Sequence, residues 1–195
     1  MNSSDRSERL KNLSPAKRAL LMKTLKDGIR PVERPDAIPR LHDRENAPLS
    51  FAQQRLWFID QMEPGSSLYN QPAAARLSGE LDVKALERSL NEIERRHEVL
   101  RTSIQTRGGK GVQVIREWEY RSLQQIDLSE LDEEAGERES RRIREEEARE
   151  GFELSEGRLM RVRLIRRRER QHELIYTMHH IITDDWSMNI LIREM

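Results

Sequence analysis

The sequence contains no cysteine, which excludes disulfides, a thiolate nucleophile and a cysteine-built zinc site. It has no apolar run near the roughly 20 residues that span a bilayer. Its first residues, MNSSDRSERLKN, lack the apolar core of a secretory signal. A soluble, cytoplasmic protein without membrane contact is the expectation. Net charge is absent too, because 35 Lys and Arg balance 35 Asp and Glu. No long-range field then draws the chain to nucleic acid or to an anionic surface, and no nucleic-acid partner is expected. Aromatic residues are 5% and hydrophobic residues 35% of the chain, against about 45–50% apolar in an average domain. The core should be thin for 195 residues.

Charge is what the sequence has in excess, at 36%, and it is unevenly spread. It gathers in residues 1–46 and 127–170, while the segments between alternate apolar and polar. Ser14 as N-cap, Pro15 at the first helical position and Gly28 past the end mark a helix with Leu20, Leu21 and Leu25 on one stripe. Pro31, Pro35, Pro39 and Pro48 then make an extended linker. Residues 1–46 are therefore read as a helix plus linker, and 47–195 as the folded unit.

Within that unit, Phe51, Leu56, Trp57 and Ile59 predict a helix ending before Pro64-Gly65. Tyr69 to Leu77 reads as a strand. Asp82 caps a helix whose stripe is Leu86, Leu90, Ile93 and His97. Leu100 to Thr106 and Val112 to Glu119 read as strands paired around Gly108 to Gly111. Ser129 with Asp132 starts a very charged helix that ends at Gly151, with Glu137–Arg141 and Glu145–Arg149 as helical ion pairs. Its charge is read as a solvated face. Leu159 to Ile165 and Glu173 to Met178 are strands, and Trp186 to the end is helical.

The second of these strands runs straight into His179-His180-Ile181-Ile182-Thr183-Asp184-Asp185. Side chains and free backbone amides meet in a common cleft where a strand gives way to a helix. A histidine there can act as a general base near neutral pH, since its ordinary pKa is about 6.5. An Asp four residues on can orient the ring or hold the loop. Two other readings stand beside this one: a structural histidine pair at a strand end, and a metal site. Adjacent side chains on a strand point to opposite faces, which disfavours a shared ion, and no metal is assigned.

Two further segments bear on the choice. Ser50 to Ile59, SFAQQRLWFI, resembles the first core motif, SxAQxRLWxL, of condensation domains from nonribosomal peptide synthetases, with Ile59 for the final Leu. Arg96 to Thr102, RHEVLRT, resembles the second motif, RHxxLRT, with Ile104 where the family usually has Phe. His179 to Asp185 resembles the third, HHxxxDG, with Asp185 in place of Gly. Three motifs in order and at matching spacing cover about residues 47–195.

The resemblance implies an α/β fold, the N-terminal lobe of a chloramphenicol acetyltransferase-like fold with a mixed sheet and flanking helices. It implies an acyltransferase that joins an upstream acyl or peptidyl thioester to the amine of an aminoacyl thioester. Both substrates arrive on phosphopantetheine arms of partner carrier domains, with an adenylation domain in the same assembly and no cofactor bound by the chain itself. His180 would be the central catalytic side chain, as base or as donor to the tetrahedral intermediate. His179 would be mainly structural, and Asp184 would pair with Arg101 to hold the loop. Leu56 and Trp57 would be core, and Arg96 either core or substrate contact. Asp185, in a place where Gly permits a left-handed backbone, adds a carboxylate near the reaction centre.

Family members carry a second, C-terminal lobe beyond the third motif, so this chain alone is expected to be inactive. Two alternative readings are a noncatalytic docking module, with residues 13–28 as the contact, and a stand-alone acyltransferase of the same superfamily.

Overall fold

The computed structural model describes residues 43–195. The helix expected at residues 14–28 and most of the proline-rich linker lie outside this range. Residues 43–46 already belong to the folded unit. Asp43 Oδ1 accepts from the backbone N–H groups of Glu45 and Asn46 at 2.9 and 3.1 Å. Ile115 N–H donates to the Arg44 carbonyl at 2.8 Å.

The elements run β1 (Ala47–Pro48), α1 (Phe51–Met62), β2 (Asn70–Ser78), α2 (Val83–Arg96), β3 (Thr102–Arg107) and β4 (Lys110–Ile115). They continue with β5 (Gln124–Asp127), α3 (Glu133–Arg149), β6 (Met160–Arg168), β7 (Gln171–His179) and α4 (Asp185–Glu194). A four-stranded sheet has the order β2-β7-β6-β5, and a three-stranded sheet the order β1-β4-β3. The large sheet is mixed: β2, β7 and β6 pair antiparallel, while β5 lies parallel to β6. That parallel pair requires a crossover, and α3 supplies it.

One face of this sheet packs on α2. Leu90 meets Leu164 of β6 and Leu174 of β7. The next residue on each strand points the other way, and Ile165 and Ile175 meet Ile143 of α3. Helices on both faces bury β7 completely from His172 to His179. Pro72, which cannot donate to a ladder, sits on β2, an edge strand bonded only to β7.

Several expectations need correction. The strand expected over Val112 to Glu119 stops at Ile115. Residues 98–101 form a 3-10 turn before β3. The β3–β4 turn carries positive φ at both Gly108 and Gly109, the geometry of a tight two-residue hairpin. Asp132 alone caps α3 through the Ala135 N–H; Ser129 donates its own N–H to Asp127. Glu145–Arg149 pairs at 3.3 Å, but Glu137 turns to Arg144 and Arg167 instead of Arg141.

The charged helix is not simply solvated. Gly136, Ser140, Ile143 and Glu147 recur at helical spacing and are buried. Glu173 of β7 accepts from Ser140 Oγ and from Arg144, both at 2.5 Å. Glu147 is 1% exposed and lies 3.0 Å from Arg161 Nε and 2.5 Å from Arg163 Nε. The second is a close ionic contact without hydrogen-bond alignment. Charge pairing between helix and sheet does here what apolar packing does elsewhere.

Candidate functional site

The three motif segments converge at the end of β7. His179 closes the strand, opposite Asn70 of β2. Its N–H donates to the Leu159 carbonyl at 3.0 Å, and the His180 N–H donates to the Tyr69 carbonyl at 2.9 Å. Backbone pairing on both sides thus fixes where the two rings begin.

The rings then diverge, as adjacent strand positions require. His179 turns inward and is 2% exposed. It packs edge-on to Phe152 with centroids 6.2 Å apart and tilted to Tyr69 at 6.3 Å. Its Nδ1 accepts the Ile181 N–H at 3.0 Å. Burial, and secondarily the neighbouring His180, lowers its pKa to about 4. At neutral pH it is an uncharged support.

A platform underlies it. Arg161 stacks on the Phe152 ring, 3.9 Å from the centroid, and donates to the Gly151 carbonyl at 3.1 Å and the Glu150 carbonyl at 2.5 Å. Asn70 donates to the Ala148 and Glu150 carbonyls at 3.0 and 2.9 Å. The unpaired carbonyls at the C-terminal end of α3 are thereby satisfied by residues that border His179.

His180 turns outward and is exposed. Its Nδ1 lies 2.9 Å from the Thr183 carbonyl and 2.8 Å from the Gln71 amide. Among the described residues none hydrogen-bonds Nε2. The ring is anchored by one nitrogen and presents the other.

The loop that follows is held from the first motif. Gln53 of α1 accepts the Ser50 N–H at 3.0 Å and donates to the Ile181 carbonyl at 3.2 Å. One side chain therefore caps α1 and ties the histidine loop to it, a role the sequence reading did not assign.

Asp184 does not pair with Arg101. Its Oδ1 accepts from the Ser187 N–H and Oγ–H at 2.8 and 2.7 Å, and Ser187 Oγ accepts the Asp184 N–H at 2.8 Å. This is a reciprocal cap on α4. The Ser187 hydroxyl first, then its N–H and more weakly His180, hold the Asp184 carboxyl below its ordinary pKa. Arg101 is buried beside β4, donating to the Arg116 carbonyl, with Glu98 at 3.5 Å. The second motif reaches α4 at its other end, where His97 Nε2 meets Glu194 at 2.8 Å and Arg96 meets it at 3.2 Å.

Asp185 opens α4, and no non-glycine among the described residues has positive φ. A left-handed backbone is not needed at this position. A carboxylate in the first helical turn also suits the helix dipole. Among the described residues there is no group of three or more His, Asp or Glu placed to hold a metal, and no helix long and apolar enough to cross a membrane. A groove of about 600 Å³ lies around His172, Asp127 and Arg166 and contains no motif residue.

Comparison with known proteins gives this geometry a context. Residues 43–195 match the family model described as "Condensation domain". One of the linear gramicidin synthase proteins of Brevibacillus parabrevis is 48% identical over 158 residues, which are 81% of this chain and 3% of that protein. Phosphinothricin tripeptide synthetase PhsC of Streptomyces viridochromogenes is 38% identical over 192 residues, 98% of this chain and 18% of the relative. Among solved structures, the first condensation domain of the calcium-dependent antibiotic synthetase, in complex with a substrate analogue, superposes with a TM-score of 0.70 at 23% identity. It covers 76% of this chain and 36% of the other. The starter condensation domain of rhizomide synthetase gives 0.69 at 19% identity, covering 76% and 37%. The chain thus spans about a third of the solved domains and a small fraction of the curated relatives.

Proposed function

Because the chain belongs to the condensation-domain family, we propose that it forms the histidine-bearing wall of a peptide-bond-forming site. The observation that carries this reading is His180, anchored through Nδ1 with Nε2 open to incoming groups. The substrates would be an acyl or peptidyl thioester and an aminoacyl thioester, each on the phosphopantetheine arm of a carrier domain. An adenylation domain would load them, and a C-terminal lobe would supply the facing wall.

In the reaction the amine nitrogen attacks the thioester carbonyl carbon. The C–N bond forms and the C–S bond breaks. The proton shed by nitrogen passes by way of Nε2 of His180 to the departing thiolate, or Nε2–H donates to the tetrahedral oxyanion. His179 would support the ring from below without taking a proton. Asp184 and Arg101 would act on the scaffold, Asp184 through the start of α4 and Arg101 through β4. Trp186, 79% exposed beside the histidine loop, offers apolar surface for the facing wall.

The test is His180→Ala in the synthetase domain that contains this chain, assayed with both loaded carriers. Loss of dipeptidyl product with unchanged melting is expected. Undiminished product formation would refute the reading.

A further inference from the structure

Gln71 stands outside all three motifs, in the second position of β2. The β2–β7 register puts its backbone opposite Met178, and its side-chain Nε2 lies 2.8 Å from His180 Nδ1. The same nitrogen lies 2.9 Å from the Thr183 carbonyl.

These two contacts constrain the proton. A carbonyl oxygen only accepts, so facing a bare Nδ1 lone pair it would be repelled. The Thr183 carbonyl shares a peptide plane with the Asp184 N–H, which donates to Ser187 Oγ at 2.8 Å. It cannot rotate away. A glutamine amide can, since a half-turn about its last torsion exchanges Nε2 for Oε1 with no other change. Both contacts are satisfied together when Nδ1 carries the proton and the Gln71 oxygen faces it.

We propose that Gln71 is a positioning residue for His180. With Thr183 it keeps Nδ1 protonated, so that Nε2 offers its lone pair to the open side, and it favours the imidazolium once Nε2 has taken up a proton. This rests on the reading of His180 as the reacting side chain and adds what sets its tautomer and basicity.

The charged groups that bear on His180 are Asp184, at the start of α4, and its neighbour on β7, His179. His179 is neutral above about pH 4, so Asp184 is the only fixed charge among them near neutral pH. Gln71 contributes dipole without charge, and replacing it changes one term at a time. Gln71→Leu removes the acceptor. Gln71→Glu puts a full negative charge where the oxygen was.

The experiment is long-range ¹⁵N–¹H spectroscopy of the imidazoles in the labelled 195-residue chain, which has only five histidines. The His180 resonances are assigned by their loss in His180→Asn. Wild type is expected to show the Nδ1–H tautomer. Gln71→Leu should reduce its population and lower the pH at which His180 titrates. Gln71→Glu should raise that pH by about one unit. Gln71→Asn, with the amide withdrawn by one methylene, should behave like Gln71→Leu and serves if the leucine variant does not fold. Asp184→Asn should lower the titration without altering the tautomer.

Unchanged tautomer and titration in all the Gln71 variants, or shifts of one sign for Leu and Glu, would overturn the proposal. The catalytic reading fails separately, through His180→Ala that still makes product while the spectroscopic coupling persists. If both hold, the pH profile of dipeptide formation in the synthetase domain should move down for Gln71→Leu and up for Gln71→Glu.

Discussion

Asp184 and Ser187 each accept the other's backbone N–H, at 2.8 Å in both directions. The pair makes the start of α4 self-sufficient. Removal of the Asp184 carboxylate should lower the melting temperature modestly, because a cap is lost at an exposed helix end and no buried charge is stranded. Asp184→Asn should retain most of the cap. Arg101→Ala should destabilise independently, through its lost contacts to Arg116 and Glu98. In a double-mutant cycle followed by urea unfolding, the two losses should add. Strong coupling would mean that the two side chains meet after all.

His179 makes stability depend on pH. Its pKa is lowered from 6.5 to about 4 in the folded chain, so between these values the unfolded chain binds a proton that the native chain refuses. Stability then rises with pH through this window. It should be fully present above about pH 6.5 and fall toward pH 4, by up to about 3 kcal/mol for this group. His179→Asn keeps an acceptor near the Ile181 N–H and does not titrate. Its melting temperature should decline less between pH 7 and pH 4 than that of wild type, measured by circular dichroism. Parallel declines would place the acid sensitivity elsewhere.

Glu147 lies between Arg161 and Arg163. Glu147→Ala takes the buried carboxylate from between two guanidinium groups, leaving Arg161 its carbonyl contacts and Arg163 the more distant Glu150, and should cost about 3 kcal/mol, the low end for breaking a buried pair. It should also loosen the Arg161–Phe152 stack beneath His179. Chemical denaturation reads the first effect. The Phe152 ring resonances read the second. A loss below about 1 kcal/mol would show that the arginines find water at little expense.

Gly151 is a steric requirement. A Cβ there would stand 1.7 Å from the Gly65 carbonyl oxygen, so the two backbone segments touch directly. Gly151→Ala should destabilise by about 1–3 kcal/mol or more. Near-normal melting of the variant would mean that the loop after α1 moves aside freely.

Which parts of this were legible in the sequence follows from what carried the signal. The strand running into His179 and the caps at Asp82 and Asp132 depend on local chemistry, and each capping side chain bonds an N–H in the first turn of its helix. β5 escaped notice: it has four residues, one of them apolar, and is a strand only because β6 lies beside it. The buried face of α3 escaped for a different reason. Its stripe of Gly136, Ser140, Ile143 and Glu147 contains one hydrocarbon side chain, so no reading by hydrophobicity could find it. The candidate site was visible as a motif. Its internal bonding was not, because the partners of His180, Asp184 and Arg101 were decided by register and helix start. Gln71 carried no signal, and Gln53 was visible only as the Gln of the first motif, without its role; both matter because β2 and α1 bring them to one loop.

β7 is bonded on both edges, by β2 and β6, and covered on both faces. Its amides should be released to solvent only when the whole unit opens, whereas α1 contributes no fully buried side chain and can fray by itself. Hydrogen exchange should therefore run slowest up to His179 and accelerate within a few residues. Among the described residues this edge of the persistent sheet falls between two consecutive histidines, one ring locked within the sheet and the other held over the loop by its Nδ1 contacts alone.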